Sequence, residues 1–98
     1  MTLRACVVGT GGYLPQMVVT NDELARTVQT SDSWIRERTG IAQRHIAVAH
    51  ETCAFMAIEA GREALERAAV DARAIDAIIV ATATPDQAFP ATALRVQA

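Results

Sequence analysis

Thr30-Ser31-Asp32-Ser33-Trp34-Ile35-Arg36-Glu37-Arg38-Thr39-Gly40-Ile41-Ala42-Gln43-Arg44 is the stretch around which this 98-residue chain is organised. It holds the single tryptophan and four hydroxyl side chains, with three of the nine basic residues. Thr30 or Ser31 suits the cap of a short helix, and Asp32 falls in its first turn, where the helix dipole favours an acid. Arg36 and Arg38 lie near its end, and Gly40 suits the left-handed residue that closes a helix. Trp34 and Arg38, four apart, share one face, while Ile35 points about 100° away toward a core. An indole beside a guanidinium can stack on a base and reach its phosphates. The same spacing equally serves a half-buried tryptophan shielded by its neighbour. After Gly40, the alternation over Ile41–Val48 predicts a half-exposed strand or ribbon.

Working back toward the N-terminus, Leu3 to Val8 is a short apolar run followed at once by Gly9-Thr10-Gly11-Gly12. It predicts a strand buried on both faces, of the kind found in parallel sheets. Met17 to Val19 reads as extended. Thr20 or Asn21 then caps a helix with Asp22 and Glu23 in its first turn and Leu24, Ala25 and Val28 along its apolar stripe.

Toward the C-terminus, a longer helix runs from Glu51 or Thr52 to about Ala69. Phe55, Ile58, Leu65 and Ala69 form one side, flanked by Ala57, Ala60, Ala64 and Ala68. Alanine and Gly61 there would allow a sheet or helix to approach closely, and Glu63 and Arg67 pair at i,i+4 on the solvated face. Ala77 to Thr84 predicts a second doubly buried strand, ended by Pro85. Pro90 suits the first turn of a last helix through Leu94 and Val96. Two central strands separated by long helical excursions do not close a sheet by themselves. The expectation is an α/β chain that forms the first part of a larger protein, with its last helix still open at Ala98.

Composition narrows the chemistry. A hydrophobic fraction of 51% supports a core, and 4% aromatic content makes Ala, Val, Ile and Leu its material. All the basic residues are arginine, and a net charge of −2 leaves no footprint for nucleic acid. Cys6 and Cys53 sit in apolar settings without Cys-x-x-Cys spacing, so buried free thiols are expected rather than a disulfide or a metal site. Cys53 falls in the first turn of a helix, which lowers a thiol pKa, but nothing else marks it as a nucleophile. His45 and His50 lack a companion at metal-ligand spacing. Gly9-Thr10-Gly11-Gly12 fails the dinucleotide fingerprint, because Leu14 stands where the third glycine belongs and Pro15 follows. A positive-φ turn or close backbone approach accounts for those glycines. The N-terminal apolar run is too short for a signal peptide or a membrane span, and a cytoplasmic protein is expected.

Gly9 to Pro15, Thr20-Asn21, Thr30 to Ile35 with Arg38-Thr39-Gly40-Ile41, and Arg44-His45-Ile46 together resemble the β-ketoacyl-acyl-carrier-protein synthase III family. Ile79-Val80-Ala81-Thr82 and Phe89-Pro90 fit it in order and spacing, so the resemblance covers essentially all 98 residues. It implies a thiolase-like α/β fold, five-layered αβαβα when complete. Residues 1–98 would be an incomplete part of its first half, with the second half absent. It implies a homodimer that condenses an acyl-CoA primer with malonyl-acyl-carrier protein to start fatty-acid synthesis, with no permanently bound cofactor and no metal. By that resemblance Trp34 stacks on the adenine of CoA, Arg38 lies against the adenine and phosphates, and Thr30 lines the same entrance. Phe89 corresponds to a position near the dimer interface that bounds the partner's acyl pocket. The family's catalytic cysteine, histidine and asparagine match no residue here, Cys6 and Cys53 included, so the chain alone is expected to be inactive. Two alternatives stand beside this reading: a relative that primes polyketides or other acyl chains, and a stand-alone, non-catalytic binding module.

Overall fold

Side-chain caps open three of the four α-helices among the described residues, and they settle where the chain turns from extended to helical. The computed structural model describes residues 2–98. It divides into two compact units, one of Leu14–His50 and one joining the residues up to Tyr13 to Glu51–Ala98.

In the Leu14–His50 unit, β1 (Met17–Thr20) runs directly into α1 (Asn21–Ala25). Thr20 is the cap: its hydroxyl accepts from the Glu23 amide at 3.2 Å while the Glu23 carboxylate accepts from the Thr20 amide at 3.3 Å. This reciprocal box satisfies two amide groups that the first helical turn leaves open. α2 (Asp32–Thr39) begins at Ser31, whose Oγ accepts from the Trp34 amide at 3.2 Å. It ends at Gly40 with φ 72°, the left-handed conformation that costs glycine nothing. β2 (Gln43–Ile46) then returns antiparallel to β1, pairing Met17 with Ile46 and Thr20 with Gln43. Nδ1 of His45 lies 2.6 Å from the Pro15 carbonyl oxygen, which can only accept, so that nitrogen carries the proton and His45 ties the ribbon's entry.

The other unit is built on α3 (Cys53–Ala68), against which α4 (Thr92–Gln97) packs. Thr52 caps α3 by accepting from the Phe55 amide at 3.1 Å. Asp86, more than thirty residues away, accepts from the next two open amides, Cys53 at 2.7 Å and Ala54 at 3.0 Å. A single 3-10 turn, Ala72–Ala74, follows α3. Gly9 and Gly11 lie directly on the alanine flank of α3. A β-carbon on Gly9 would fall 2.5 Å from the Ala64 carbonyl oxygen, and one on Gly11 2.2 Å from that of Ala60. Neither glycine has positive φ. Close approach is therefore the reason for both, and Gly61, with nothing within 4 Å, plays no part in it. The Gly12 amide donates to Glu63 at 2.8 Å, and Glu63 also pairs with Arg67 as the i,i+4 spacing predicts. The Tyr13 hydroxyl donates to Glu51, which raises the phenol above its ordinary pKa, and its ring meets Phe55 edge-on at 5.4 Å.

Three expectations need correction. Leu3–Val8 and Ala77–Thr84 are not strands: β1 and β2 form the one sheet among the described residues. A strand exists only through hydrogen bonds to a neighbour, and neither run has one here. Nor are these runs buried on both faces, for Val7 is exposed and Ile79 is 91% exposed. Cys6, on the first of them, is likewise an exposed thiol rather than a buried one, whereas Cys53 is half-buried.

Candidate functional site

α2 presents the chemistry. Its eight residues bury one apolar side chain, Ile35, at 7% exposure. Rotating about 100° per residue then brings Trp34 and Arg38 to a neighbouring, solvent-facing strip. Trp34 is half exposed at 53%, and the guanidinium carbon of Arg38 lies 5.3 Å from its ring centroid. That separation lies within the range of cation–π attraction. The i,i+4 spacing therefore delivers the pair it predicts. Arg36, two residues before Arg38, is committed elsewhere: its Nε donates to both carboxylate oxygens of Asp32 at 2.9 Å.

A concavity of about 570 Å³ opens beside this pair, lined by Leu24, Val28, Gln29, Thr30, Ser31, Trp34 and Ile35. Thr30 immediately precedes the cap residue Ser31, and its Oγ1 is buried with no hydrogen-bond partner. A buried hydroxyl without a partner is costly, and Thr30 shares this wall with the polar side chains of Gln29 and Ser31. Trp34 and Thr30 both line this concavity; Arg38 does not line it and is linked to it only through its contact with the Trp34 ring.

Phe89 belongs to the other unit, where it precedes a cis peptide bond to Pro90 and is 87% exposed. That unit also carries a larger groove of about 940 Å³ between α3, residues 75–78 and α4. Its floor is largely aliphatic, including Ile58, Leu65, Ile78 and Leu94, and it offers no aromatic face. The smaller concavity is the better candidate on chemistry, because its wall carries an aromatic side chain that holds a guanidinium against its ring. Among the described residues no group of three or more His, Cys, Asp or Glu side chains is placed to hold a metal ion.

Asn21 is the residue that sequence reasoning misses. Beyond its place beside the Thr20 cap, it is 1% exposed and its side chain makes three hydrogen bonds, one to the first residue of α2 and two to the segment that follows it. No periodicity announces this, because the partners lie 11 to 23 residues away.

No family model matches the chain. Among individual proteins, β-ketoacyl-(acyl-carrier-protein) synthase III of Acidiphilium cryptum is 61% identical over 95 residues, which is 97% of this chain and 30% of that protein. Among solved structures, 3-oxoacyl-(acyl-carrier-protein) synthase III of Aquifex aeolicus superposes with a TM-score of 0.86 at 50% identity, covering 92% of this chain and 29% of that one. The priming β-ketosynthase of the R1128 polyketide biosynthetic pathway gives a TM-score of 0.87 at 37% identity, over 93% and 27% of the two chains. The chain thus spans about 30% of the length of the curated relatives it matches. It corresponds, in sequence and in fold, to the N-terminal portion of the β-ketoacyl-(acyl-carrier-protein) synthase III family of thiolase-like α/β proteins.

Proposed function

We propose that the full-length protein is an acyltransferase that condenses an acyl-CoA primer with malonyl-acyl-carrier protein, and that this chain supplies the entrance for CoA. The observation that carries the reading is the Trp34–Arg38 pair beside a concavity that Thr30 and Trp34 line. CoA offers matching chemistry. Its adenine stacks on the half-exposed indole, its phosphates lie against the Arg38 guanidinium, and Thr30 lines the same entrance. Phe89 bounds the acyl pocket of a second subunit in a homodimer. Residues outside this chain form the acyl thioester, so residues 1–98 alone release no CoA.

In the overall reaction the acyl group leaves the CoA sulfur, malonyl-acyl-carrier protein loses carbon dioxide, and the resulting carbanion forms the new carbon–carbon bond. The products are a β-ketoacyl-carrier protein, CoA thiol and carbon dioxide. Among the described residues no helix is long and apolar enough to cross a membrane.

Thiol release by the full-length protein, given malonyl-acyl-carrier protein and a series of acyl-CoA primers, tests this directly. Primer-dependent CoA release is expected, and none with any primer refutes it. The likeness to a polyketide-priming ketosynthase favours one second reading, priming of polyketide chains. Competition among acyl-CoAs of different length and branching separates the two.

A further inference from the structure

We propose that Asn21 is a positioning residue for the Trp34–Arg38 pair, fixing the orientation of α2 so that the indole and guanidinium meet the adenosine end of CoA. The inference rests on the CoA-entrance reading given above.

α2 is two turns long and buries a single apolar side chain, so packing alone holds its rotation weakly. A buried amide supplies the missing constraint. Nδ2 of Asn21 donates to Asp32 Oδ1 in the first turn of α2 at 2.8 Å, and to the Ile41 carbonyl just beyond Gly40 at 2.8 Å. Its Oδ1 accepts from Arg44 Nη2 on β2 at 2.7 Å, and its backbone amide donates to the Ala42 carbonyl at 3.3 Å. One side chain therefore grips both ends of the helix and ties them to the ribbon. The amide cannot turn over, because a carboxylate and a carbonyl only accept and a guanidinium only donates. Asp32 is itself held by both of its oxygens on Arg36. Trp34 lies two residues from Asp32 and Arg38 two residues before Gly40, so any slip at either end moves the pair. A fully satisfied buried polar hub of this kind selects one arrangement where apolar packing would accept several.

Asn21→Asp tests it in the full-length protein, because the change is nearly isosteric yet sets a carboxylate against Asp32 and the Ile41 carbonyl. The probes are acyl-CoA and the same acyl group on phosphopantetheine, which lacks the adenosine portion. The expected result is a KM for acyl-CoA raised roughly tenfold relative to that for acyl-phosphopantetheine, the size of a buried hydrogen bond made unfavourable. Adding Asp32→Asn, which restores a donor facing the new acceptor, should recover most of that ratio. An unchanged KM ratio, or equal loss with both thioesters, overturns the proposal. Should Asn21→Asp unfold, Arg44→Gln must show the same selective rise, and failure to do so counts against the proposal equally. Trp34→Ala run in parallel separates the two ideas. If it shifts the ratio and the Asn21 and Arg44 variants do not, positioning is wrong while the entrance stands. If Trp34→Ala leaves the ratio unchanged, the entrance reading falls and the proposal with it.

Discussion

Gly11 lies so close to α3 that a β-carbon on it would stand 2.2 Å from the Ala60 carbonyl oxygen and 2.6 Å from the Ala64 amide nitrogen. These are backbone atoms, and they cannot move aside as the tip of a long side chain would. Gly11→Ala is expected to destabilise the full-length protein by about 1–3 kcal/mol, the usual cost of forcing atoms into a filled space. Gly12→Ala, with nothing within 4 Å and no positive φ, should cost well under that and serves as the control. Urea denaturation midpoints at constant m-value decide between them.

The two helix ends that turn left-handed make opposite predictions. Gly40 has φ 72° with open space around its Cα, so Gly40→Ala should cost about 1–2 kcal/mol from backbone strain alone. Ala69 already carries that strain at the end of α3, with φ 54° and ψ 42°. Ala69→Gly should therefore stabilise the protein, by up to about 1 kcal/mol after the added freedom of the unfolded chain is subtracted. A lower melting temperature for Ala69→Gly would contradict the assignment.

Asp32 provides a pH signature. The Asn21 amide, and then the Arg36 guanidinium, hold its carboxyl below the ordinary 3.8. A carboxylate whose pKa is depressed on folding contributes stability above its unfolded pKa and loses it as pH falls through the folded value. Asp32→Asn should thus be less stable than the native protein near neutral pH. The gap should narrow below about pH 4 as Asp32 takes up its proton. Denaturation at a series of pH values measures the gap, and one that stays constant to pH 2 would contradict this.

What the sequence makes legible here is local. Ser31, Thr52 and Gly40 announce helix ends because a cap or a left-handed glycine acts within four residues. Trp34 and Arg38 are legible as a pair for the same reason. The capping of α3 by Asp86, the tie made by Asn21 and the fit of Gly9 and Gly11 on Ala60 and Ala64 depend on residues distant in sequence, which no periodicity encodes. Ala69 is hidden for a different reason, since alanine gives no sign that it will adopt a conformation suited to glycine. The apolar runs at Leu3–Val8 and Ala77–Thr84 read plainly as sheet material. Composition specifies their hydrophobicity, yet pairing requires a neighbouring strand that a run of residues does not supply. The open hydroxyl of Thr30 is equally invisible until its surroundings are known.

The central claim, that CoA enters against Trp34, is tested most directly by calorimetric binding of CoA and of phosphopantetheine to the full-length protein and its Trp34→Ala variant. Stacking of a base on an aromatic ring contributes about 1–3 kcal/mol. The variant is therefore expected to bind CoA roughly tenfold or more weakly, with its affinity for phosphopantetheine unchanged. Equal weakening toward both ligands, or CoA affinity that survives loss of the indole, would contradict it.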